Sequence, residues 1–428
     1  MIKDSKVFYW VRSDFFHHNH QHRRKIEALR ASGIDAELIA FVSNDDWDQF
    51  RGEYKHAKAL YDTKVIRVPG RGLPQIAVRW RIRLFFVLQL LFYRKILLHS
   101  LLSDPSSLYR LRRMRLFNKR VKIVTEYEGD LPAELLYRAS VQEEGGPFEE
   151  PPAEMIEEYQ WVLGLQKREI ENSDGLIVVS DEHRDLLSTR WGKCQKALAF
   201  PTIFDKSCSF SQERREAIRK NLKLGEATVL VHLGGAINSW HRFPDVCSLV
   251  REISDKMEDI RFLGLIRKTD LEAARAGVRE AGIEKISDLL YVDSNKVPDY
   301  LSAADVALFV RHNHTMTRIV NSGKLGEYIA SGLPMLSTGA HAGYHEFLEC
   351  NELQLKLHED LRISSKFLES FQLLVTKGKD PKRRALISAA AIQEFCVNQN
   401  PFLSYVKMVK DVLAGSDLRC GPNGTQIE

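Results

Sequence analysis

The 428-residue sequence has few cysteines, and they form no metal or disulfide pattern. No Cys-x-x-Cys pair occurs, and no histidine stands at the spacing from a cysteine that is typical of zinc ligands. Scattered cysteines are typical of proteins in a reducing compartment, where disulfides are rare. We therefore expect a cytoplasmic protein without a structural metal site. The six cysteines are Cys194, Cys208, Cys247, Cys350, Cys396 and Cys420.

The sequence also lacks a hydrophobic run that is long enough to cross a bilayer. The longest strongly apolar run, residues 84–93, has ten residues, whereas a membrane-spanning helix needs about 20. The first 14 residues contain a short apolar stretch and then charges, without the apolar core and small-residue cleavage site of a secretory signal. We expect a chain that is neither exported nor inserted across a membrane.

Acidic residues are nearly absent from residues 71–122, which we name the basic segment. Thirteen lysines or arginines stand there against one acid, Asp104, so the basic segment carries a charge of +12 although the whole chain carries only +5. Aromatic residues such as Trp80 and Phe92 are interspersed. This composition favours an amphipathic element attracted to anionic lipid, or else a core helix with a basic polar face. Nucleic-acid binding is not supported, because no zinc-finger, RNP or helix-turn-helix pattern accompanies the charge.

The order of strand-like and helix-like segments predicts an α/β protein with parallel sheets. Short apolar runs such as KVFYWV and TVLVHLGG alternate with helical periods along both halves of the chain, as in sheets covered by helices. One of these helical periods covers residues 74–98. The length is that of two domains, and the polar stretch that opens at Pro201 predicts their boundary. We therefore expect domains over residues 1–200 and 201–398, followed by a helix and tail over residues 399–428.

The stretch NSGKLGEYIASGLPMLST, residues 321–338, carries the strongest functional signal. It predicts a helix with Ser322 as its N-cap and Gly332 just beyond its end. The free N–H groups of a helix that follows a parallel strand suit a phosphate. Lys324 and Glu327 share one face of this helix. They could pair with each other in solvent, which contributes only about 0.3–0.5 kcal/mol, or bind the diphosphate and the ribose diol of a nucleotide.

The segment KLGEYIASGLPML resembles the Lys-x-x-Glu-Tyr-x-Ala-x-Gly-x-Pro signature of glycosyltransferase family 4. Further segments resemble the family in the expected order over most of the chain, namely EIENSDGLIVVSDEHRDLL, KALAFPTIFD, VHLGGAINSWHRFPDV and VPDYLSAADVALFV. The resemblance implies two Rossmann-like domains that face each other across a cleft, which is the GT-B fold. It also implies retaining transfer of a sugar from a UDP- or GDP-sugar, without a cofactor or a metal.

The resemblance further implies a donor site in the second domain. Glu327 would bind the ribose of the nucleotide, and Lys324 and Arg242 would stabilise the negative charge that grows on the departing diphosphate. With Arg311 as a nearby cation and Asn313 and Asn321 as nearby polar substitutes for a missing acid, the predicted donor-binding residues are Gly234, Gly235, Arg311, Asn313, Asn321, Ser322, Gly323, Lys324, Leu325 and Glu327.

Two positions depart from the family pattern. Family members often carry a second acid, which contacts the transferred sugar, at the position of Ile319. They also commonly place an arginine just after the glycines of the glycine loop and a lysine six residues later, where Ala236 and Arg242 stand here. One cation is therefore missing, and we expect Lys324 or Arg311 to supply it.

The segment TEYEGDLPAE follows a strand in the first half of the chain. Its carboxyl end should face the cleft, so Glu126 is a candidate general base and Glu128 and Asp130 are candidate acceptor-binding residues. The resemblance supports Glu126 because family members often have a histidine or an aspartate there. A cation site and a plain acidic loop are the alternatives.

The segment FFHHNHQHRRK, residues 15–25, contains four histidines. It follows the first strand, and by the resemblance it should face the acceptor. His18, His20 and Arg23 are therefore predicted to contact a phosphorylated or lipid-linked acceptor. A zinc site that includes His18 and His22 lacks a third ligand, and a solvated loop is the other alternative.

Together these patterns predict a glycosyltransferase in the cytoplasm, associated with the inner face of the cytoplasmic membrane through the basic segment. The expected acceptor is a saccharide or lipid-linked saccharide in surface polysaccharide biosynthesis. A sugar-nucleotide epimerase or a phosphorylase on the same fold is one alternative. A non-catalytic sugar-nucleotide-binding protein is another, and the departures at Ile319 and Ala236 favour it.

Overall fold

A computed structural model describes residues 3–10, 20–43, 47, 51, 55, 64–68, 75–101, 119–140, 148–192, 197–202, 204, 206–237, 239–358 and 360–415. The chain forms two compact units: unit 1 comprises Met1–Pro132, Glu154–Pro201 and Pro401–Glu428, and unit 2 comprises Ala133–Ala153 and Thr202–Asn400. These units differ from the predicted division at two places. Residues 133–140 and 148–153 belong to unit 2, and the helix that begins at Pro401 belongs to unit 1.

The part of the chain before residue 201 alternates between strands and helices. The elements are β1 (Lys3–Trp10), α1 (His20–Ala31), β2 (Ala36–Ser43), β3 (Lys64–Val68), α2 (Gln75–Phe92), β4 (Tyr93–Leu101), β5 (Val121–Glu126), α3 (Leu131–Ser140), α4 (Ile156–Asn172), β6 (Gly175–Val178), α5 (Asp181–Trp191) and β7 (Ala197–Ala199). The sheet of unit 1 has the order β3-β2-β1-β4-β5-β6-β7, and all its pairs are parallel. Its strands are short apolar runs because helices cover parallel sheets.

The part of the chain after residue 201 repeats the alternation. The elements are α6 (Gln212–Asn221), β8 (Thr228–Gly234), α7 (Phe243–Lys256), β9 (Ile260–Ile266), α8 (Leu271–Glu280), β10 (Ser287–Leu290), α9 (Val297–Ala303), β11 (Val306–Phe309), α10 (Thr315–Arg318), α11 (Gly323–Ala330), β12 (Met335–Ser337), α12 (His345–Cys350), β13 (Gln354–Lys356), α13 (Ser365–Lys379), α14 (Pro381–Ile392) and α15 (Pro401–Ala414). Unit 2 has a parallel sheet of order β10-β9-β8-β11-β12-β13.

Both faces of the unit 2 sheet are buried. Val229 and Val231 on β8 belong to one apolar cluster, and Leu230 between them belongs to another. Successive side chains of a strand point to opposite faces, so the two clusters are the cores above and below the sheet. The strand order reverses direction between β8 and β11, which is where open parallel sheets bind ligands at the carboxyl ends of their strands.

A buried arginine joins three elements of unit 2. The Arg384 guanidinium is fully buried and donates to the backbone carbonyls of Leu301, Ser302, Ala304 and Ser331. These carbonyls lie at the ends of α9 and α11, where helices leave carbonyl groups without intrahelical partners. Arg384 therefore fixes the carboxyl end of α11 to α9 and α14.

The predicted helix over residues 74–98 is wrong in its second part. Helix α2 ends at Phe92, and residues 93–101 form β4, which lies between β1 and β5. Strand β4 is almost fully buried, so its apolar run lacks the alternation that marks a half-buried strand. A continuous apolar run of this kind is compatible with a buried helix or a buried strand.

Two parallel sheets with helices between the strands confirm the predicted α/β fold class. Within the described part of the chain, no helix combines the length and the apolar character needed to cross a membrane.

Candidate functional site

Helix α11 begins at the carboxyl-terminal side of the unit 2 sheet. Its first residue is Gly323, and the Ser322 side chain forms no capping hydrogen bond. The first backbone N–H groups of the helix are therefore not capped by this side chain, and they carry the partial positive charge of a helix start. The helix ends at Ala330, and Gly332 has the positive φ of 58° that favours glycine after a helix.

Lys324 and Glu327 do not form the surface ion pair that their spacing allows. Among the described residues, Glu327 has no ion-pair partner within 4.0 Å. The Lys324 Nζ atom instead lies 2.9 Å from Nε2 of His241, which ends a short 3-10 helix after β8. Burial raises the pKa of Glu327 to about 7, although the charge of Lys324 opposes this shift. Lys324 and Glu327 are both partly buried, and the Glu327 carboxylate has no ion-pair partner in the described part of the chain.

Cations from several strand ends surround Lys324. Burial lowers the pKa of Lys324 well below its usual range, and the charges of Arg311 and Arg267 lower it further. Burial also lowers the pKa of Arg311 to about 10, and no carboxylate in the described chain pairs with its guanidinium. The same cations, after burial, hold the pKa of His241 far below its usual value. Lys324 and Arg311 therefore have no carboxylate partner in the described chain, whereas Arg267 pairs with Asp270.

The glycine loop approaches these cations closely. Gly234 ends β8, and a Cβ atom there would lie 2.9 Å from Nε2 of His232 and 3.1 Å from Nζ of Lys324. A Cβ atom on Gly235 would overlap the Arg267 guanidinium and lie 2.6 Å from Asp270 Oδ2. Both positions accept only glycine without a shift of these side chains.

Arg267 and Asp270 are site residues that sequence reasoning missed. Asp270 is almost fully buried, and its Oδ2 atom accepts hydrogen bonds from the backbone N–H groups of Ala236 at 3.0 Å and Ile237 at 3.4 Å. The same oxygen accepts from Arg267 Nη2 at 3.1 Å. The available signal was the position of Arg267, directly after the apolar strand β9, whose carboxyl end lies beside that of β8.

Three other positions of the predicted donor site differ in what they can offer a ligand. Arg242 precedes α7 with a φ of 45°, and its Nε donates to Asp245 at 2.7 Å, so its guanidinium faces its own helix. Leu325 is fully buried in the core, which leaves only its backbone for a ligand. Ile319, at the position where a second acid was expected from the family, is an apolar residue with 5% exposure.

Two predicted asparagines flank α10 and α11. Asn313 Oδ1 accepts a hydrogen bond from Arg318 at 3.1 Å. Asn321 is buried, and its Oδ1 atom has no hydrogen-bond partner among the described residues. An unpaired buried amide oxygen is costly, so Asn321 is the asparagine that has an unused acceptor beside the start of α11.

In unit 1, Glu126 lies at the end of β5 in a buried polar network. Lys25, His99 and Tyr9 all contact its carboxylate, His99 Nε2 and the Tyr9 hydroxyl each at 2.7 Å. Burial alone would raise the pKa of Glu126, but Lys25 and His99 hold it well below its usual range. His22, which the zinc alternative included, lies 2.7 Å from the Tyr9 hydroxyl through Nδ1. A carboxylate with two hydrogen-bond donors, Lys25 and Tyr9, and a close imidazole is a weak proton acceptor.

The other residues that were predicted to bind the acceptor differ in their burial and in their partners. Asp130 is fully buried and accepts from Arg190 and Gln166 at 2.7–3.1 Å. Glu128 is partly exposed, and Arg23 pairs with Glu27 on the surface of α1.

The histidine-rich segment is described only in part. His18 lies outside the described residues, and of His20 only the backbone, at the start of α1, is described. In the described chain, no group of three or more His, Cys, Asp or Glu side chains is arranged to hold a metal ion.

Comparison with solved structures shows the same fold over almost the whole chain. Sucrose-phosphate synthase from Thermosynechococcus elongatus has a TM-score of 0.65 at 15% identity, and the match covers 96% of this chain and 100% of that one. A glycosyltransferase from Rickettsia africae gives 0.61 at 11% identity, with 96% and 100% coverage. Anabaena HepE in complex with UDP and glucose gives 0.58 at 13% identity, with 96% and 99% coverage. The chain has the GT-B fold.

No protein-family model and no curated protein matches the sequence of the chain. The identities to the solved structures are low, so the comparison establishes the GT-B fold and leaves the activity to be argued from the site. The two Rossmann-like units of that fold correspond to the two parallel sheets, and the cations around Lys324 lie at the carboxyl-terminal side of the second one.

Proposed function

We propose that the protein is a glycosyltransferase that uses a nucleotide-diphosphate sugar and binds it in unit 2. The observation that carries this proposal is the pair of cations Lys324 and Arg311, neither of which pairs with a carboxylate in the described chain, beside the glycine loop and the start of α11. Positive charge without a matching anion, together with free backbone N–H groups, suits a diphosphate. The GT-B fold is shared with glycosyltransferases, one of which was crystallised with UDP.

The residues of the site have distinct roles in the proposed reaction. The bond between the anomeric carbon and the diphosphate oxygen breaks, and its electron pair remains on the diphosphate. Lys324, Arg311 and the first N–H groups of α11 stabilise this growing negative charge. The Glu327 carboxylate, which has no ion-pair partner in the described chain, accepts hydrogen bonds from the two hydroxyls of the ribose.

The transferred sugar then bonds to an acceptor hydroxyl, which loses its proton. We propose that the configuration is retained and that attack occurs on the face from which the diphosphate leaves, without a covalent enzyme intermediate. Glu126 remains the predicted base for this proton, although its contacts with Lys25, Tyr9 and His99 favour a structural role. The proposed acceptor is a saccharide or lipid-linked saccharide of a surface polysaccharide.

We also propose that the protein docks on an anionic membrane through α2. Ile82, Phe86 and Leu90 pack into the core of unit 1, whereas Trp80 and Leu84 are 62% and 56% exposed. The exposed apolar stripe of α2 consists of Trp80, Leu84, Leu88, Leu91 and Phe92. A stripe of this kind within the basic segment supports an interfacial helix that lies on anionic lipid.

The decisive experiment is isothermal titration of the protein with UDP, GDP and ADP. We expect micromolar binding of one nucleotide, and at least tenfold weaker binding, or about 1.4 kcal/mol, for Glu327→Ala. The control is Glu369→Ala, because Glu369 lies exposed on α13. If no nucleotide binds, or if Glu327→Ala binds as tightly as the wild type, the donor site has been placed wrongly.

A non-catalytic sugar-nucleotide-binding protein is the second candidate, because Ile319 replaces the acid expected beside the transferred sugar. Incubation of the protein with the sugar nucleotide and candidate acceptors separates the two functions. Release of the nucleoside diphosphate that depends on an acceptor supports the transferase, and binding without release supports the non-catalytic protein. Consumption of the sugar nucleotide without an acceptor would indicate an epimerase or a phosphorylase.

A further inference from the structure

We propose that Arg267 binds the donor diphosphate and takes the place of the glycine-loop cation that is missing at Ala236. The inference rests on the proposed function, since it names a further residue for the same donor site. It is independent of the residues that the sequence predicted, because neither the sequence patterns nor the comparisons assign a role to Arg267.

The sheet register puts Arg267 beside the glycine loop. Strands β8 and β9 are parallel, and Gly234 pairs with Ile266 at the end of both strands. The next residue of each strand is Gly235 on one side and Arg267 on the other. An arginine at this position can therefore reach the same space as a side chain from the glycine loop itself.

The Arg267 guanidinium occupies the space next to Gly235. A Cβ atom on Gly235 would overlap Arg267 Nη2, so the arginine lies directly against the loop backbone. A glycine at this position gives the guanidinium room to lie against the loop and to reach a phosphate group that binds beside it.

Asp270 holds the loop and the arginine together. Its Oδ2 atom accepts from Arg267 Nη2 and from the N–H groups of Ala236 and Ile237. A guanidinium has five N–H donors in a planar fork. The single bond to Asp270 orients this fork and leaves other donors for a phosphate, and the side chain of Arg267 is 54% exposed.

The charge of Arg267 also affects the pKa values of other residues of the site. It is one of the charges that lower the pKa of Lys324 and of His241, after burial and after the charge of Arg311. Arg267 and Lys324 therefore approach the region of the glycine loop from two different elements. Two cations that come from different elements are suited to the two phosphate groups of a diphosphate.

The first test compares UDP binding by the wild type, Arg267→Gln, Arg267→Lys and the control Arg275→Gln. Arg275 is a matched control because it pairs with Glu272 on α8 and is 51% exposed. We expect UDP to bind at least about tenfold more weakly to Arg267→Gln and within about threefold of the wild type to Arg267→Lys. Arg275→Gln should bind as the wild type does, and all four proteins should have similar melting temperatures.

The second test uses the wild-type protein, so it does not depend on the folding of a variant. Phenylglyoxal modifies accessible arginines, and mass spectrometry measures the modification of Arg267 and Arg275 with and without UDP. We expect saturating UDP to protect Arg267 by at least about fivefold, in line with its donors turning from solvent to phosphate, and to leave Arg275 unchanged.

The outcomes separate this inference from the proposed function. If the wild type binds UDP but Arg267 stays equally reactive and Arg267→Gln binds as tightly, the inference is overturned while the donor site stands. If UDP and the other nucleotides fail to bind the wild type, the proposed function itself fails. Weaker binding that accompanies a lower melting temperature, without protection of Arg267, would identify a structural ion pair with Asp270.

Discussion

The Nζ atom of Lys324 lies 2.9 Å from Nε2 of His241, so an amine and an imidazole face each other beside the glycine loop. Two protonated nitrogens at this distance would repel each other. Burial and the neighbouring cations lower the pKa of both groups. Lys324 and His241 therefore carry less positive charge in the free protein than they would carry beside a bound anion.

We predict that nucleotide binding takes up protons. A diphosphate beside Lys324 and His241 favours their protonated forms and raises both pKa values, so the complex binds more protons than the free protein. Titration with UDP at pH 8 in two buffers of different ionisation enthalpy should give different observed heats, and the difference should correspond to a net uptake of protons. Lys324→Met should bind at least about tenfold more weakly and take up fewer protons. Equal heats in both buffers would contradict the prediction.

Glu327 should make the protein less stable as the pH rises from about 4.5 to 7. Its folded-state pKa is about 7, above the ordinary value of 4.5, so the folded state binds more protons than the unfolded state between these values. The unfolding free energy therefore falls as the pH rises through this window. Glu327→Gln cannot lose a proton. Relative to the wild type it should be about 1–3 kcal/mol more stable at pH 8 than at pH 5.

Denaturant unfolding of both proteins at the two pH values measures this difference, and Glu369→Gln is the control, since Glu369 is exposed on α13. A difference between wild type and Glu327→Gln that is the same at pH 5 and pH 8 would show that Glu327 titrates normally.

The sequence predicted the parts of the fold that depend on local pattern. The start of α11 after Ser322 follows from helical periodicity and from a helix-start position after a strand, although the Ser322 side chain forms no capping hydrogen bond. The strand β4 was missed because a fully buried strand has no alternation for a pattern to detect.

Apart from Gly234, Gly235 and Arg311, which were predicted with the help of the family resemblance, the site could be predicted only where one segment supplies it. Lys324 and Glu327 share one turn of α11, so their spacing was informative. Arg267 is brought to Gly235 by the pairing of β8 with β9, and His241 is brought to Lys324 across 83 residues. No local spacing encodes such contacts, and the sequence therefore gave no reason to join these residues.

Glu126 should be essential for the stability of unit 1. Removal of its charge in Glu126→Gln leaves the fully buried Lys25 ammonium without its partner, and loss of one member of a buried ion pair costs about 3–5 kcal/mol. Because the folded-state pKa of Glu126 is held well below its usual range, this stabilisation is present above about pH 4.5 and is lost as the pH falls.

Chemical denaturation of Glu126→Gln measures this loss. Glu27→Gln is the matched control because Glu27 forms an exposed pair with Arg23, and we expect it to cost less than about 1 kcal/mol. If Glu126→Gln unfolds like the wild type and binds UDP but does not transfer sugar, Glu126 acts as the general base and not as a structural anion.

Arg384 should stabilise unit 2 through its guanidinium geometry and not through charge alone. Its three nitrogens donate to carbonyls of Leu301, Ser302, Ala304 and Ser331. The carbonyls of Ser302 and Ala304 also accept from Arg215, so those of Leu301 and Ser331 lose their donor. We expect Arg384→Lys to lose at least about 2 kcal/mol, nearly as much as Arg384→Met, because each unsatisfied buried carbonyl costs about 1–3 kcal/mol. Thermal unfolding measures both variants, with Lys382→Met on the exposed face of α14 as the control. Full rescue by lysine would contradict the argument.

The exposed apolar stripe of α2 should bind anionic membranes. Trp80 and Leu84 would enter the interface while the arginines of the basic segment attract the lipid headgroups. We expect the protein to float with vesicles that contain about 30% anionic lipid and not with neutral vesicles, because the attraction depends on surface charge. Trp80→Ser/Leu84→Ser should reduce the bound fraction at least about tenfold, since each apolar side chain contributes about 1.5–3 kcal/mol when it leaves water.

Trp161→Ser is the matched control for this experiment, because Trp161 on α4 has the same 62% exposure as Trp80 and lies outside the basic segment. If exposure alone caused adhesion, the Trp161 variant would lose as much binding as the Trp80 variant. If the arginines alone caused it, the Trp80→Ser/Leu84→Ser variant would bind as the wild type does. Only a loss that is specific to α2 and requires anionic lipid fits a helix that combines both forces, and equal flotation with neutral and anionic vesicles excludes it.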